Sequence, residues 1–172
     1  MNANVALAGI VTQIAALSDR SAGTTVNVGV MRGGTRANVV AAHAEAVIDV
    51  RFASDGEAER VAAALDRLRS NLDVQIHVDG AVNRPAMPRT AGTVGLFSRA
   101  RACAQALGFD LAEAAAGGGS DGNFTAAEGT PTLDGLGGVG AGLHTDDEFV
   151  AVDSLPQRAA LLAALLATEA AS

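Results

Sequence analysis

The feature that most restricts the fold of this chain is an ordered change of apolar period along its N-terminal half. From Asn4 to Leu17 the apolar residues Leu7, Ile10, Val11, Ile14 and Leu17 recur at helical spacing, until Ser21, Gly23 and a Thr pair break the pattern. Val26, Val28 and Val30 then alternate with Asn27, Gly29 and Met31. Ala44, Ala46, Ile48, Val50 and Phe52 alternate in the same way with His43, Glu45, Val47, Asp49 and Arg51. Period two predicts two half-buried strands. Ser54 and Glu57 have capping-box spacing ahead of Ala58, Val61, Leu65 and Leu68, and a third alternation follows at Val74, Ile76 and Val78.

Helix, strand, strand, helix, strand is the order of a ferredoxin-like β-α-β-β-α-β unit without its first strand, which lies centrally in such sheets. The segment from Gly80 to Thr90 carries Pro85 and Pro88 with no periodicity and reads as a crossing into a second unit, giving domains over residues 1–80 and 81–172. The second opens with a helix through Leu96, Phe97, Ala100, Cys103, Ala104 and Leu107, stopped by Gly108. A strand-like run ends in Gly117-Gly118-Gly119 and a short helix starts at Ser120. Pro131 to Leu136 reads as a buried strand, a glycine-rich loop runs to Gly142, and Ser154 to Gln157 repeats the capping-box spacing before a Leu/Ala helix. The fold class is α/β, and no internal repeat is evident.

Composition narrows the functional classes. The 172 residues are 49% hydrophobic and 18% charged, so the chain can bury a core and is not a disordered polyelectrolyte. All twelve basic residues are Arg, and the net charge of −7 opposes a phosphate backbone, which excludes nucleic acid as the expected partner. Apolar runs such as Leu161 to Ala167 fall short of the ~20 residues that span a membrane. The apolar stretch up to Leu17 has no basic residue ahead of Asp19 and Arg20, which points to a helix of a cytoplasmic protein rather than a signal peptide. One cysteine, Cys103, forms no internal disulfide, and its apolar helical setting favours packing over chemistry.

Three stretches carry candidate chemistry, and each has a plain structural reading beside the functional one. Asn38 follows Gly33-Gly34-Thr35-Arg36-Ala37, where the glycines also suit a hairpin turn. Gly117-Gly118-Gly119-Ser120-Asp121-Gly122-Asn123, between a strand and a helix, would aim backbone N–H groups at a carboxylate or phosphate, or serve tight packing. It is not a P-loop, because the Gly-Lys-Ser/Thr ending is absent. His144, in Gly142-Leu143-His144-Thr145-Asp146-Asp147-Glu148, lies outside any apolar period. A loop imidazole can ligate zinc, yet a zinc site needs three or four ligands, and His43 and His77 fall on polar strand phases of the other unit. The alternative is a surface loop with solvated acids.

Taken together these residues resemble the cocatalytic-zinc peptidase and amidohydrolase superfamily of glutamate carboxypeptidase, acetylornithine deacetylase, succinyl-diaminopimelate desuccinylase and aminoacylase. Gly34-Thr35-Arg36-Ala37-Asn38-Val39-Val40 with Ala44 to Arg51 is similar to the superfamily's lid and dimerisation domain. Asn83-Arg84-Pro85 is similar to its return crossing. Gly117 to Asp121, Pro131 to Gly137 and His144 to Glu148 are similar to the last third of its catalytic domain. Two positions depart: Ala41 and Gly138 stand where the superfamily often has Pro.

The resemblance implies a partial ferredoxin-like lid lacking its first strand, followed by the C-terminal portion of an α/β zinc-peptidase catalytic domain. It implies that His144 is a ligand to one of two zinc ions, with Co or Mn as possible substitutes. Asn38 would reach across a homodimer to the substrate carboxylate or oxyanion in the neighbouring site. Arg84 and the amides around Gly118, Gly119 and Ser120 would bind the free carboxylate of an N-acyl amino acid or short peptide, and Asp121 would order that loop. The resemblance does not reach the superfamily's early half, which brings its His-x-Asp ligand pair, bridging Asp, Glu-Glu pair with the general base, and a further acidic ligand. One histidine cannot by itself build a hydrolytic metal centre, so the chain is expected to be inactive alone and to self-associate through its open sheet edges. Two other classes remain: a non-catalytic dimerisation and carboxylate-binding module, and an anion-binding loop protein for nucleotides.

Overall fold

In the computed structural model, residues 1–169 are described, and they form two compact units. One comprises Met1–Pro88 with Gly117–Gly119, the other Arg89–Ala116 with the chain from Ser120 onward.

The first unit contains α1 (Ala3–Ala15), β1 (Thr25–Gly33), β2 (Ala44–Arg51) and α2 (Asp55–Leu65). Helix α1 is capped by the Asn2 side chain on the Asn4 amide, and α2 by the Ser54 hydroxyl on the Glu57 amide at 3.4 Å. β1 and β2 pair antiparallel from Thr25↔Arg51 to Gly33↔Ala44. A bulge between Val28 and Val30 breaks the alternation expected along β1. Val26 and Val28 stay in phase with the core, whereas Val30 turns outward opposite Val47, and both valines are exposed. Ile10 and Ile14 of α1 pack with Leu68, and against them lie Val26, Val28, Ile48, Leu65 and Ile76.

The third expected strand is corrected. Val74 to Val78 forms no ladder, although Ile76 reaches the core as its phase requires. Side-chain alternation needs only a buried face, whereas a strand needs a neighbour for its N–H and C=O groups. In this unit the sheet is β1 and β2 alone.

Thr24, wholly buried before β1, donates its hydroxyl to Glu57, which also accepts from Arg60 at 2.8 Å. Arg60 in turn donates to the Leu17 carbonyl at 2.9 Å, tying α2 to the end of the first helical segment. The Arg60 guanidinium, then the Thr24 hydroxyl, hold the Glu57 carboxyl below the usual glutamate range. A carboxyl lowered in the folded state contributes stability above its unfolded pKa, and loses it as pH falls through the folded value. The melting temperature of the chain is therefore expected to drop more steeply on acidification than that of Glu57→Gln. Parallel acid limbs in a pH series of thermal melts would contradict this.

The second unit contains α3 (Ala91–Ala106), α4 (Gly122–Ala127), β3 (Gly140–Ala141), β4 (Phe149–Val150) and α5 (Ser154–Glu169). Its core is Ala100 and Ala104 of α3 against Leu161 and Leu165 of α5, with Cys103, Phe109, Leu111, Leu133 and Leu136 packed around them. Cys103 thus takes the packing role. The strands expected before Gly117 and over Pro131 to Leu136 are not formed, again with apolar side chains in place and no partner strand among the described residues. The expected capping box at Ser154 is also replaced. Its hydroxyl accepts from the Val139 amide at 2.9 Å and donates to the Ala151 carbonyl at 2.6 Å, fastening the loop before β3 to the start of α5. No helix among the described residues is long and apolar enough to cross a membrane.

Candidate functional site

His144 lies in the tight loop between β3 and β4, a hairpin that the residue pattern did not announce. The Gly140↔Val150 and Ala141↔Phe149 pairs bring Gly142 and Glu148 together. Gly142 adopts φ +73°, and a Cβ there would meet the Asp147 carbonyl oxygen at 2.8 Å, so glycine is required on both counts. The Gly142 carbonyl accepts from the Thr145 amide at 3.0 Å and hydroxyl at 2.7 Å, and the Glu148 amide donates to the Thr145 carbonyl at 3.2 Å. These bonds close the turn around His144. Its φ of +64° is left-handed, the one such value at a non-glycine among the described residues. Its amide donates to Glu148 Oε2 at 3.2 Å, and the residue is exposed.

A left-handed L-residue costs roughly 1–2 kcal/mol that glycine avoids. His144→Gly is therefore expected to be about 1 kcal/mol more stable than His144→Ala in urea denaturation. Equal stability of the two would mean that the loop does not impose this conformation.

As a metal donor set, His144 offers a suitable imidazole and little else. No group of three or more His, Cys, Asp or Glu among the described residues is arranged to hold a metal ion. The chain thus fits zinc as the source of one ligand, and Asp146 and Asp147 do not complete a set around it.

Arg84, Gly118 and Gly119 belong to the first unit, and the structure brings Arg84 against Gly119. A Cβ at Gly119 would come within 2.6 Å of Arg84 Cδ and 3.3 Å of Nε, so the absent side chain is what lets the arginine stem lie along the loop. The Gly117 carbonyl accepts from Arg51 Nη1 at 3.5 Å. Arg51 lies on the polar phase of β2, where sequence gave no signal for a contact with a loop over sixty residues away.

Ser120 belongs to the second unit, and its amide is engaged: it donates to Asn123 Oδ1 at 2.8 Å, while Ser120 Oγ accepts from the Gly122 amide at 3.1 Å. Helix α4 has only six residues. The expected outward aim of N–H groups at this turn is thus replaced, at Ser120 and Gly122, by a side-chain cap. Asp134 completes it, since the Ser120 hydroxyl and then the Gly135 amide hold its carboxyl below the usual aspartate range. Asp134 lies in the Pro131 to Gly137 stretch, which marks no role for it individually; the Gly135 that follows turns at φ +73°.

Asn38 sits exposed on the loop between β1 and β2. The base of that loop is fastened: the Ala41 carbonyl accepts from the Ala3 amide at 2.9 Å, and the Asn4 side chain fills the space a Cβ on Gly33 would occupy. Gly34, at φ +75°, makes the turn out of β1. Asn38 and its neighbours are thereby held out from a firm base.

Comparison with known proteins supplies a frame for these residues. A peptidase dimerisation domain model, that of the M20 peptidases, matches residues 1–88. Carboxypeptidase G2 of Pseudomonas sp. (strain RS-16) is 26% identical over 171 residues, covering 96% of this chain and 41% of the relative. The crystal structure of aminopeptidase PepT from Bacillus cereus superposes with a TM-score of 0.64 at 25% identity, over 96% of this chain and 47% of that one. A tripeptidase structure from Staphylococcus aureus, 19% identical, shares the fold with a TM-score of 0.63, over 99% of this chain and 46% of that one. The chain spans less than half the length of each of these relatives. With the match over residues 1–88, which include the α1–β1–β2–α2 unit, the chain belongs to the M20 peptidase dimerisation-domain family.

Proposed function

We propose that this chain supplies the lid and the C-terminal part of the catalytic domain of a zinc-dependent hydrolase that cleaves the amide bond of N-acyl amino acids or short peptides with a free carboxylate. The observation that carries the reading is His144, a zinc-type donor held at a left-handed φ in a hairpin whose turn is built around it. Residues 1–80 act as the lid and pair with a second copy, and residues 81–172 belong to the catalytic domain. The protein works in the cytoplasm.

Each residue has a distinct task. His144 provides one metal ligand, and the metal when bound acts as a Lewis acid toward the amide carbonyl. Arg84, lying along Gly119, meets the substrate's free carboxylate with its guanidinium, and the Gly118 and Gly119 amides add donors. Ser120 contributes through its capped turn, and Asn38 reaches the neighbouring copy's site from its protruding loop. The general base lies outside this sequence, so the chain alone turns over no substrate.

Restoration is the test. The chain is combined with a segment bearing a His-x-Asp pair and a Glu-Glu pair, zinc is added, and release of amino acid from N-acyl amino acids is followed. Hydrolysis is expected, with His144→Ala reduced to background; equal rates for the two complexes would reject the ligand assignment. A complex that binds the amino acid but never hydrolyses it would favour the carboxylate-binding module instead.

Gly119→Ala tests the carboxylate role separately. Its Cβ forces the Arg84 stem to move, and affinity for an N-acyl amino acid, read by calorimetry, is expected to fall about tenfold, or ~1.4 kcal/mol. Undiminished affinity would remove Arg84 from the site.

A further inference from the structure

The geometry points to Glu148 as a positioning residue for His144: its carboxylate captures the His144 amide and holds the histidine in its left-handed conformation. This rests on the reading of His144 as a metal ligand and adds the group that sets its direction. Residues at positive φ persist where their surroundings over-determine them. Within the loop, the Thr145 amide and hydroxyl both anchor to the Gly142 carbonyl, and the Asp147 amide donates to Thr145 Oγ1 at 3.3 Å. Those bonds fix the positions beside His144. The bond from residue 144 itself is its amide to Glu148 Oε2, at 3.2 Å.

That bond bears directly on ligand geometry. Fixing φ at Cα fixes the direction in which the Cα–Cβ bond leaves the hairpin, so the Glu148 carboxylate removes a soft torsion between β3 and the imidazole. A hydrogen bond to a charged acceptor is also stronger than one to a neutral group, which suits it to hold a disfavoured backbone state. Asp146 and Asp147, closer in sequence, make no such bond to the His144 amide.

Two measurements test it. In the chain itself, amide exchange at His144 is expected to quicken at least about tenfold in Glu148→Ala and to stay near wild type in Glu148→Gln, whose side-chain oxygen still accepts. In the reconstituted complex, Co²⁺ affinity by chelator competition is expected to fall about 10–100-fold in Glu148→Ala, with partial rescue by Gln. The proposal is overturned if exchange at His144 does not change in Glu148→Ala, or if Co²⁺ affinity is lost with His144→Ala and kept with Glu148→Ala. Co²⁺ affinity indifferent to His144→Ala would instead reject the metal-ligand reading, and this inference with it.

Discussion

Leu161→Ala is expected to destabilise the second unit by about 3 kcal/mol, within the 2–5 kcal/mol span of buried leucine truncations. Leu161 has no exposed surface, and its neighbours across the α3–α5 seam, Ala100 and Ala104, are themselves fully buried. Two alanines have no side-chain length with which to fill the space left behind, and helix backbones do not close by the width of a leucine. The cavity therefore persists, and its cost adds to the lost transfer free energy. Leu166, on the same helix but 70% exposed, provides the control: Leu166→Ala is expected to change stability by no more than about 0.5 kcal/mol. Urea denaturation of both variants decides it. Similar midpoints for the two would mean that the α3–α5 seam is not the core of this unit.

Gly140→Ala is expected to have the largest effect on function at a small cost in global stability. A Cβ at this position would overlap the Phe149 carbonyl oxygen, a backbone atom of the paired strand that cannot rotate away. The two-residue ladder must open to admit it, and the His144 turn moves with the ladder. A displacement of about 1 Å at a reacting centre can cost a hundredfold in rate. Hydrolysis by the reconstituted complex is therefore expected to fall at least about a hundredfold, while the urea midpoint shifts little because these strands are exposed. Gly137→Ala, where a Cβ meets nothing within 4 Å, is the matched control. Comparable activity in the two variants would separate the hairpin from the function.

The elements legible in the sequence carry their own hydrogen bonds or a near partner and are long enough to show an apolar period; β3 and β4, two residues each, have a near partner but no period. Helices α1, α2, α3 and α5 follow from 3.6-residue periodicity, with the cap at Ser54 marking the start of α2; the cap at Thr90 appears only in the structure. β1 and β2 follow from period two across one connecting loop. What failed was strand formation at Val74–Val78, before Gly117, and over Pro131–Leu136, where alternation or apolar runs were present without a neighbouring strand. The bulge that turns Val30 outward was also hidden, because Gly29 reads equally well as a polar-phase position.

His144, Gly119 and Asn38 were legible as candidates because their glycine-rich surroundings stand out from an Ala- and Val-rich background, whereas Arg84 entered only through the family resemblance. Their supports were not. Glu148 and Asp134 lie in stretches that carry the resemblance, and Arg51 and Asn4 have surface-type identities, but nothing in the pattern marks their contacts with the His144 amide, Ser120, the Gly117 carbonyl and Gly33.

By itself, then, the sequence determined the helices, the β1–β2 hairpin with its long alternating strands, the charge that opposes nucleic acid, and the residue types available for a metal and a carboxylate. These depend on composition and on spacing along the chain. Tertiary structure alone decided that Arg84 lies on Gly119, that Ser120 spends its amide on Asn123, and that His144 takes a left-handed φ within a hairpin closed by a two-residue ladder. The physical reason is that a hydrogen bond or close approach depends on distance in space, and spacing in sequence predicts that distance only within a single element or turn.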